Sequence, residues 1–337
     1  MTAFLLWVGP LLCYTAEDAV RLEKEAFAYR DHIQSGEVEL HSVMSKAVRG
    51  EGNPRKLDRR KVWFFEGGRM RADEEEYYVP RPTQPGGDKY WVRLGLTDSA
   101  HLYCTEHKSR RAMPLGAAVR NPELVKGPEA EMGLTDFRWL GLAPRSSYNL
   151  RQVPVSPFLD RPDVEVTDVK DEVYEGAACV RAAFRRRDGL EGVIRIAPDR
   201  GPSVVAVSIS GDGIDQEVRS RIEKHAASGI WFPTQCRYVR SKNGKVQTDE
   251  TLTVKVLSLN QPLPPETFTF AGMGLPAGTE VSSIGLGEPT TLFWTGAELL
   301  PGYPVEPGGS SPWWLWLAGV SAVLIGLVLV VRSLARR

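Results

Sequence analysis

ACVRAAFRRRDGLEGVIRIAPDRGPSVVAVSIS, residues 178–210, is the stretch on which the fold turns. It divides into Ala178–Arg186, Leu190–Ala197 and Ser203–Ser210, with Asp188-Gly189 at the first break and Asp199–Pro202 at the second. Within the runs, Ile194 and Ile196 alternate with Arg195, and Val205, Val207 and Ile209 alternate with polar or small residues. A period of two with a turn signal at each end predicts half-buried antiparallel strands, here a three-stranded meander. Downstream, Trp231–Ser241 and Lys245–Leu259 flank Asn243-Gly244, the dipeptide that a type I′ hairpin turn prefers. Their apolar face carries Leu252, Val254 and Val256, and the other face carries Thr253 and Lys255.

The same period extends upstream. Val38, Leu40 and Ser42 alternate with Glu37, Glu39 and His41. Lys61–Phe65, a Gly67-Gly68 turn and Arg69–Tyr78 predict a further hairpin, and Tyr90–Leu96 and His101–Thr105 continue the pattern. Before them, Ala19, Leu22, Ala26 and Ile33 recur at helical spacing over Ala16–Ile33, with Gly36 as the expected stop. Met113–Pro162 is rich in Pro and Gly, with a short helical turn expected at Phe137–Leu142. Phe268-Thr269-Phe270 begins a last short element. The expected fold class is therefore mainly β (α+β): a curved antiparallel sheet forming a half-barrel, covered by an N-terminal helix and loops.

Such a sheet can close on its own core or enclose an apolar hollow. The candidate lining is Trp63, Phe65, Ile194, Ile196, Val205, Val207, Leu252 and Val254, and plain core remains the alternative. Lys+Arg and Asp+Glu number 42 each, which excludes the basic surface that nucleic-acid binding requires. No Gly-x-Ser-x-Gly elbow or P-loop is present, and no enzyme and no cofactor are expected. His101-x-x-Cys104-x-x-His107 is spaced like a metal motif, but on a strand Cys104 faces away from both histidines, so no metal is expected. The run Asp73–Glu76 reads as a solvated hairpin arm. Cys179 and Cys236 both fall in strands and form a candidate disulfide in an oxidising compartment, with two buried thiols as the alternative.

Both ends carry membrane signals. Ala3–Leu12 is apolar like the core of a leader peptide, with cleavage expected near Cys13–Ala16 and lipidation of Cys13 as the alternative. Trp313–Val331 is uncharged and long enough for one transmembrane helix, with Trp313, Trp314 and Trp316 at one end and Arg332, Arg336 and Arg337 after the other. The expected organisation is a leader-like segment at 1–16, an extracytoplasmic domain at 17–299, a Pro/Gly linker at 300–312, the span at 313–331 and a cytoplasmic basic tail at 332–337. Val305-Glu306-Pro307 ahead of that span also resembles a C-terminal sorting signal removed after export, so a lasting anchor and a processed one both stay open.

Four stretches, Arg59–Ala72, Val164–Arg185, Gly229–Val239 and Phe268–Val281, together with the order of elements, resemble the LolA/LolB-like outer-membrane lipoprotein-sorting family in a membrane-tethered form. The resemblance spans about Asp18–Leu299. It implies a half-barrel whose hollow takes acyl chains of a lipid or lipoprotein, without catalysis or metal. Tethering departs from a diffusing carrier and points to lipid or lipoprotein binding at a bacterial inner membrane, with the domain in the periplasm. A protein-interaction or envelope-sensing module on the same fold, working with a membrane-protein partner, is the alternative.

Overall fold

The computed structural model describes residues 14–47, 55–78, 89–96, 101–108, 116–120, 136–145, 156–284 and 291–301. One helix, α1 (Ala16–Asp31), precedes β1 (Ser35–Lys46), β2 (Arg55–Glu66), β3 (Arg69–Tyr78), β4 (Lys89–Leu96), β5 (His101–Lys108) and β6 (Gly116–Arg120). After a 3-10 turn at Phe137–Trp139 come β7 (Val164–Tyr174), β8 (Ala177–Arg186), β9 (Glu191–Ala197), β10 (Ser203–Gly211), β11 (Ile214–Lys224), β12 (Trp231–Lys242) and β13 (Lys245–Leu259). A second 3-10 turn at Pro265–Phe268 leads to β14 (Glu280–Ile284), β15 (Thr291–Trp294) and β16 (Leu299–Pro301).

All of these strands join one 16-stranded sheet in the order β16-β15-β14-β6-β5-β4-β3-β2-β1-β13-β12-β11-β10-β9-β8-β7. Two runs of consecutive antiparallel neighbours, β6 to β1 and β13 to β7, meet where β1 pairs with β13. The β6–β14 pairing is parallel. The predicted turns are present: Asn243 and Gly244 take φ of 50° and 72°, the doubly positive pair that a type I′ turn demands.

The sheet is curved, and one side chain shows how far. β2 and β12 lie three ladder steps apart, roughly 14 Å in a flat sheet at ~4.8 Å per step. Yet the Phe137 ring reaches a ring on each strand, with centroids 4.8 Å from Phe65 and 5.6 Å from Phe232. The helix closes the other half of this concave face, packing against β7, β8, β9 and β10. Thr15 and Asp18 cap it reciprocally, and the Tyr29 hydroxyl accepts the Trp231 N–H at 2.9 Å.

Three expectations are corrected. The helix stops at Asp31, and Gly36 lies inside β1, where an added Cβ would come within 2.8 Å of the Phe65 ring. Cys179 and Cys236 are free, buried thiols. They sit on β8 and β12 with three strands between, and Cys179 belongs to a small cluster with Ala177, Ala197, Val205 and Ile222, whereas Cys236 belongs to the main core. No disulfide spans such a separation. Val205 likewise leaves the concave face, because a bulge between Val204 and Ala206 breaks the alternation: Val204 and Val207 face the main core and Val205 the other cluster.

The leader-like run Ala3–Leu12 and the apolar run Trp313–Val331 lie outside the described residues. Among the described residues no helix is long and apolar enough to cross a membrane.

Candidate functional site

The concave face is built from alternate residues of the sheet. Trp63 and Phe65 come from β2, Ile194 and Ile196 from β9, Val207 from β10, and Leu252 and Val254 from β13, all in one buried cluster. Seven of the expected lining positions are thus brought together, and Val205 is not. None is more than 4% exposed. The space they surround is occupied by the protein itself: Ala19, Leu22 and Ala26 of α1, and Phe137, Leu140, Leu142 and Ala143 of the segment 136–145.

That segment is a plug whose seat is specific. Phe137 meets Trp63, Phe65 and Phe232 edge-on, and Arg138 pairs with Asp136 while lying 5.4 Å from the Phe65 ring centroid. Gly141, at φ 78°, presses onto β11; a Cβ there would fall 2.2 Å from the Ser220 hydroxyl. Only glycine combines that φ with that approach.

Along β2 the concave face changes character. Phe65 and Trp63 are apolar, whereas Lys61 and Arg59, the next inward positions, are buried charges beside Glu74 of β3. Lys61 Nζ lies 3.0 Å from Glu74 Oε2, and on the neighbouring pair Ser42 donates to Glu250 at 2.5 Å. Each buried charge or hydroxyl here has a counterpart, which is what burial in a low dielectric requires.

Two further ionisable groups lie under the helix. Glu23 is fully buried, and its two carboxylate oxygens accept the backbone N–H groups of Phe158 and Leu159 at 2.7 Å each. Burial drives its carboxyl from the ordinary 4.5 up to about 7, although the two donors pull the other way. Arg30 is 1% exposed, and burial lowers its guanidinium to about 10, so it remains a cation at neutral pH. Its Cζ lies 4.8 Å from the Phe232 ring centroid, and Nε, Nη1 and Nη2 have no hydrogen-bond partner. Neither residue belongs to the sequence-based candidate set. The signal was present: residues 19, 23, 26, 30 and 33 follow one helical stripe, but Glu and Arg are read as outward by type.

The outer face carries a polar hollow of ≈ 500 Å³, lined by Glu39, His41, Arg60, Asp73, Glu75 and Lys255 among others. Lys255 pairs with Glu39 at 3.1 Å, and His41 Nε2 lies 2.9 Å from Asp58. Among the described residues no group of three or more His, Cys, Asp or Glu side chains is placed to hold a metal ion.

No protein-family model matches the chain, and neither does any curated protein. Solved structures do. The chain is similar to a DUF1329 family protein from Desulfovibrio piger, at TM-score 0.37 and 17% identity, over 76% of this chain and 98% of that one. It is similar to a putative outer membrane lipoprotein-sorting protein domain from Vibrio parahaemolyticus, at TM-score 0.37 and 11% identity, over 76% and 97%. The Mycobacterium tuberculosis lipoprotein LppX follows at TM-score 0.27 and 11% identity, over 74% and 99%. A lipoprotein-sorting domain, the group named by the sequence resemblance, thus stands among the structural neighbours. At TM-scores this low the likeness carries no functional weight.

Proposed function

We propose that this chain is a non-catalytic lipid- or lipoprotein-binding domain that holds acyl chains on the concave face of its sheet. One observation carries the reading: a broad apolar face, from Trp63 to Ile196, is closed by one helix and the segment 136–145 rather than by a second sheet. Single side chains such as Phe137 fill the space that a hydrocarbon chain would take, so exchanging plug for ligand conserves buried apolar area. Trp313–Val331 would tether the domain to the inner membrane, with the sheet on the periplasmic side and the basic tail in the cytoplasm.

The test is extraction of the purified full chain followed by mass spectrometry of bound lipid, with a labelled fatty acid offered in parallel. Recovery of acyl lipid at near one per chain is expected; a chain that brings none and takes up none does not bind lipid. Protease accessibility in spheroplasts checks the topology, with cleavage of the domain from outside expected.

The polar hollow on the outer face favours a second reading, an interaction module for a charged peptide segment. Charge reversal at Lys255 and Arg60 would then remove a captured membrane partner while leaving lipid content unchanged.

A further inference from the structure

Among the described residues the other buried cations are met by a carboxylate. Arg59 and Lys61 lie against Glu74, and Arg71 donates to Asp73 and to the carbonyls of Thr267 and Gly272. Among the described residues, Arg30 alone has all three side-chain nitrogens buried and without a hydrogen-bond partner. The flat ring of Phe232 on one side offers it a cation–π contact but no acceptor for its N–H groups. A guanidinium presents five donors in a planar fork, a geometry that matches a carboxylate or a phosphate.

Its surroundings indicate what the anion would be attached to. From Arg30 the contacts run to Phe232, from Phe232 to Phe137 of the plug, and from Phe137 to Phe65 and Trp63. The unpaired cation thus stands at one end of a track of aromatic rings, and the element covering that track is the segment 136–145. A small inorganic anion would satisfy Arg30 but leave the track unexplained. A neutral hydrocarbon would do the reverse.

We propose that Arg30 anchors the headgroup of an anionic amphiphile whose acyl chain displaces Phe137 and lies along Phe232, Phe65 and Trp63. The inference rests on the acyl-chain reading above and adds the charge and orientation of the ligand. The shared chemistry is an anionic head on a single chain, supplied either by a fatty-acid carboxylate or by the phosphate of a lysophospholipid.

The experiment is native mass spectrometry of the full chain in dodecyl maltoside, offered palmitate, palmitoyl lysophosphatidate or hexadecanol. The protein is expected to bind at least one of the two anions tenfold or more tighter than the alcohol, and the preferred anion tells carboxylate from phosphate. Arg30→Met should bring the anions down to the affinity of the alcohol. Arg30→Lys keeps the charge without the fork and should reduce the preference rather than abolish it, which serves as the readout where Arg30→Met does not fold. Equal binding of anions and alcohol by the unmodified chain, or a preference that survives Arg30→Met, overturns the anchor and leaves lipid binding standing. Failure to bind all three amphiphiles removes lipid binding itself, and the anchor with it.

Discussion

Glu23 and Arg30 ride the same stripe of α1, both at 1% exposure or less, and the protein treats them in opposite ways. Glu23 is met by two backbone donors and ties the chain at Phe158–Leu159 to the helix. Arg30 is met by an aromatic ring and by no hydrogen-bond acceptor. A buried charge with its full complement of partners is a structural latch; one without them is a cost that folding by itself does not recover. The difference separates the N-terminal half of the helix, which fastens, from its C-terminal turn, which holds a buried cation without an acceptor.

The largest effect should come from removing the ring at the centre of the plug. Phe137→Ala deletes a ring that touches Trp63, Phe65 and Phe232, and a loss of about 3–5 kcal/mol in urea unfolding is expected. The pH profile set by Glu23 should survive it, because the Glu23 carboxylate is held by the backbone N–H groups of Phe158 and Leu159. A changed profile would mean that the two halves of the helix are coupled.

Glu23 itself should be visible in the pH dependence of stability. Its folded value, about 7, lies above its unfolded value of 4.5, so the folded state holds the proton more tightly. Its contribution is therefore fully present below pH 4.5, falls as pH rises through 7, and is constant above that. The span corresponds to about 3 kcal/mol. Glu23→Gln should flatten this slope, measured as unfolding free energy from pH 4 to 8. An unchanged slope would show that the latch titrates elsewhere.

Arg30→Met should act in the reverse direction. Replacing an unpaired buried cation with an apolar side chain of similar reach should raise the stability of the ligand-free chain by about 1–3 kcal/mol. Anionic amphiphile should then stabilise the unmodified chain against heat, and raise the variant's melting temperature by no more than hexadecanol does. A destabilised variant would make Arg30 a second latch and erase the comparison.

What the sequence revealed follows from what is local. Hairpins with a turn signature, such as Asn243-Gly244, are legible because two residues determine the strand reversal. The concave alternation of Val38, Leu40, Leu252 and Val254 is legible because each strand has one wet face. Ile214–Lys224 was not, since Arg219, Arg221 and Glu223 dominate its composition and a bulge between Arg221 and Ile222 shifts its register. The hydrophobic period puts Val205 on the wrong face for the same reason, as a bulge leaves no mark in it. The pairing of β1 with β13 joins segments some two hundred residues apart, which no local period encodes. Glu23 and Arg30 are hidden in the sequence because their polarity points outward while their place on the stripe points inward.

The smallest expected effect lies next to the latch. Lys24 follows Glu23 on the helix and reaches Asp160 at 2.7 Å, so both residues fasten the same stretch of chain. Their environments differ: Lys24 and Asp160 are 52% and 49% exposed, and water competes for both charges. An ion pair of that kind contributes roughly 0.2–1 kcal/mol, and less as salt screens it. Lys24→Gln should therefore shift the unfolding free energy by no more than about 0.5 kcal/mol, with the difference vanishing in 1 M salt. Should Lys24→Gln cost as much as Glu23→Gln, the exposed pair would be the true fastening, and the contrast between the two halves of α1 would have to be drawn from charge pairing at the surface instead of burial.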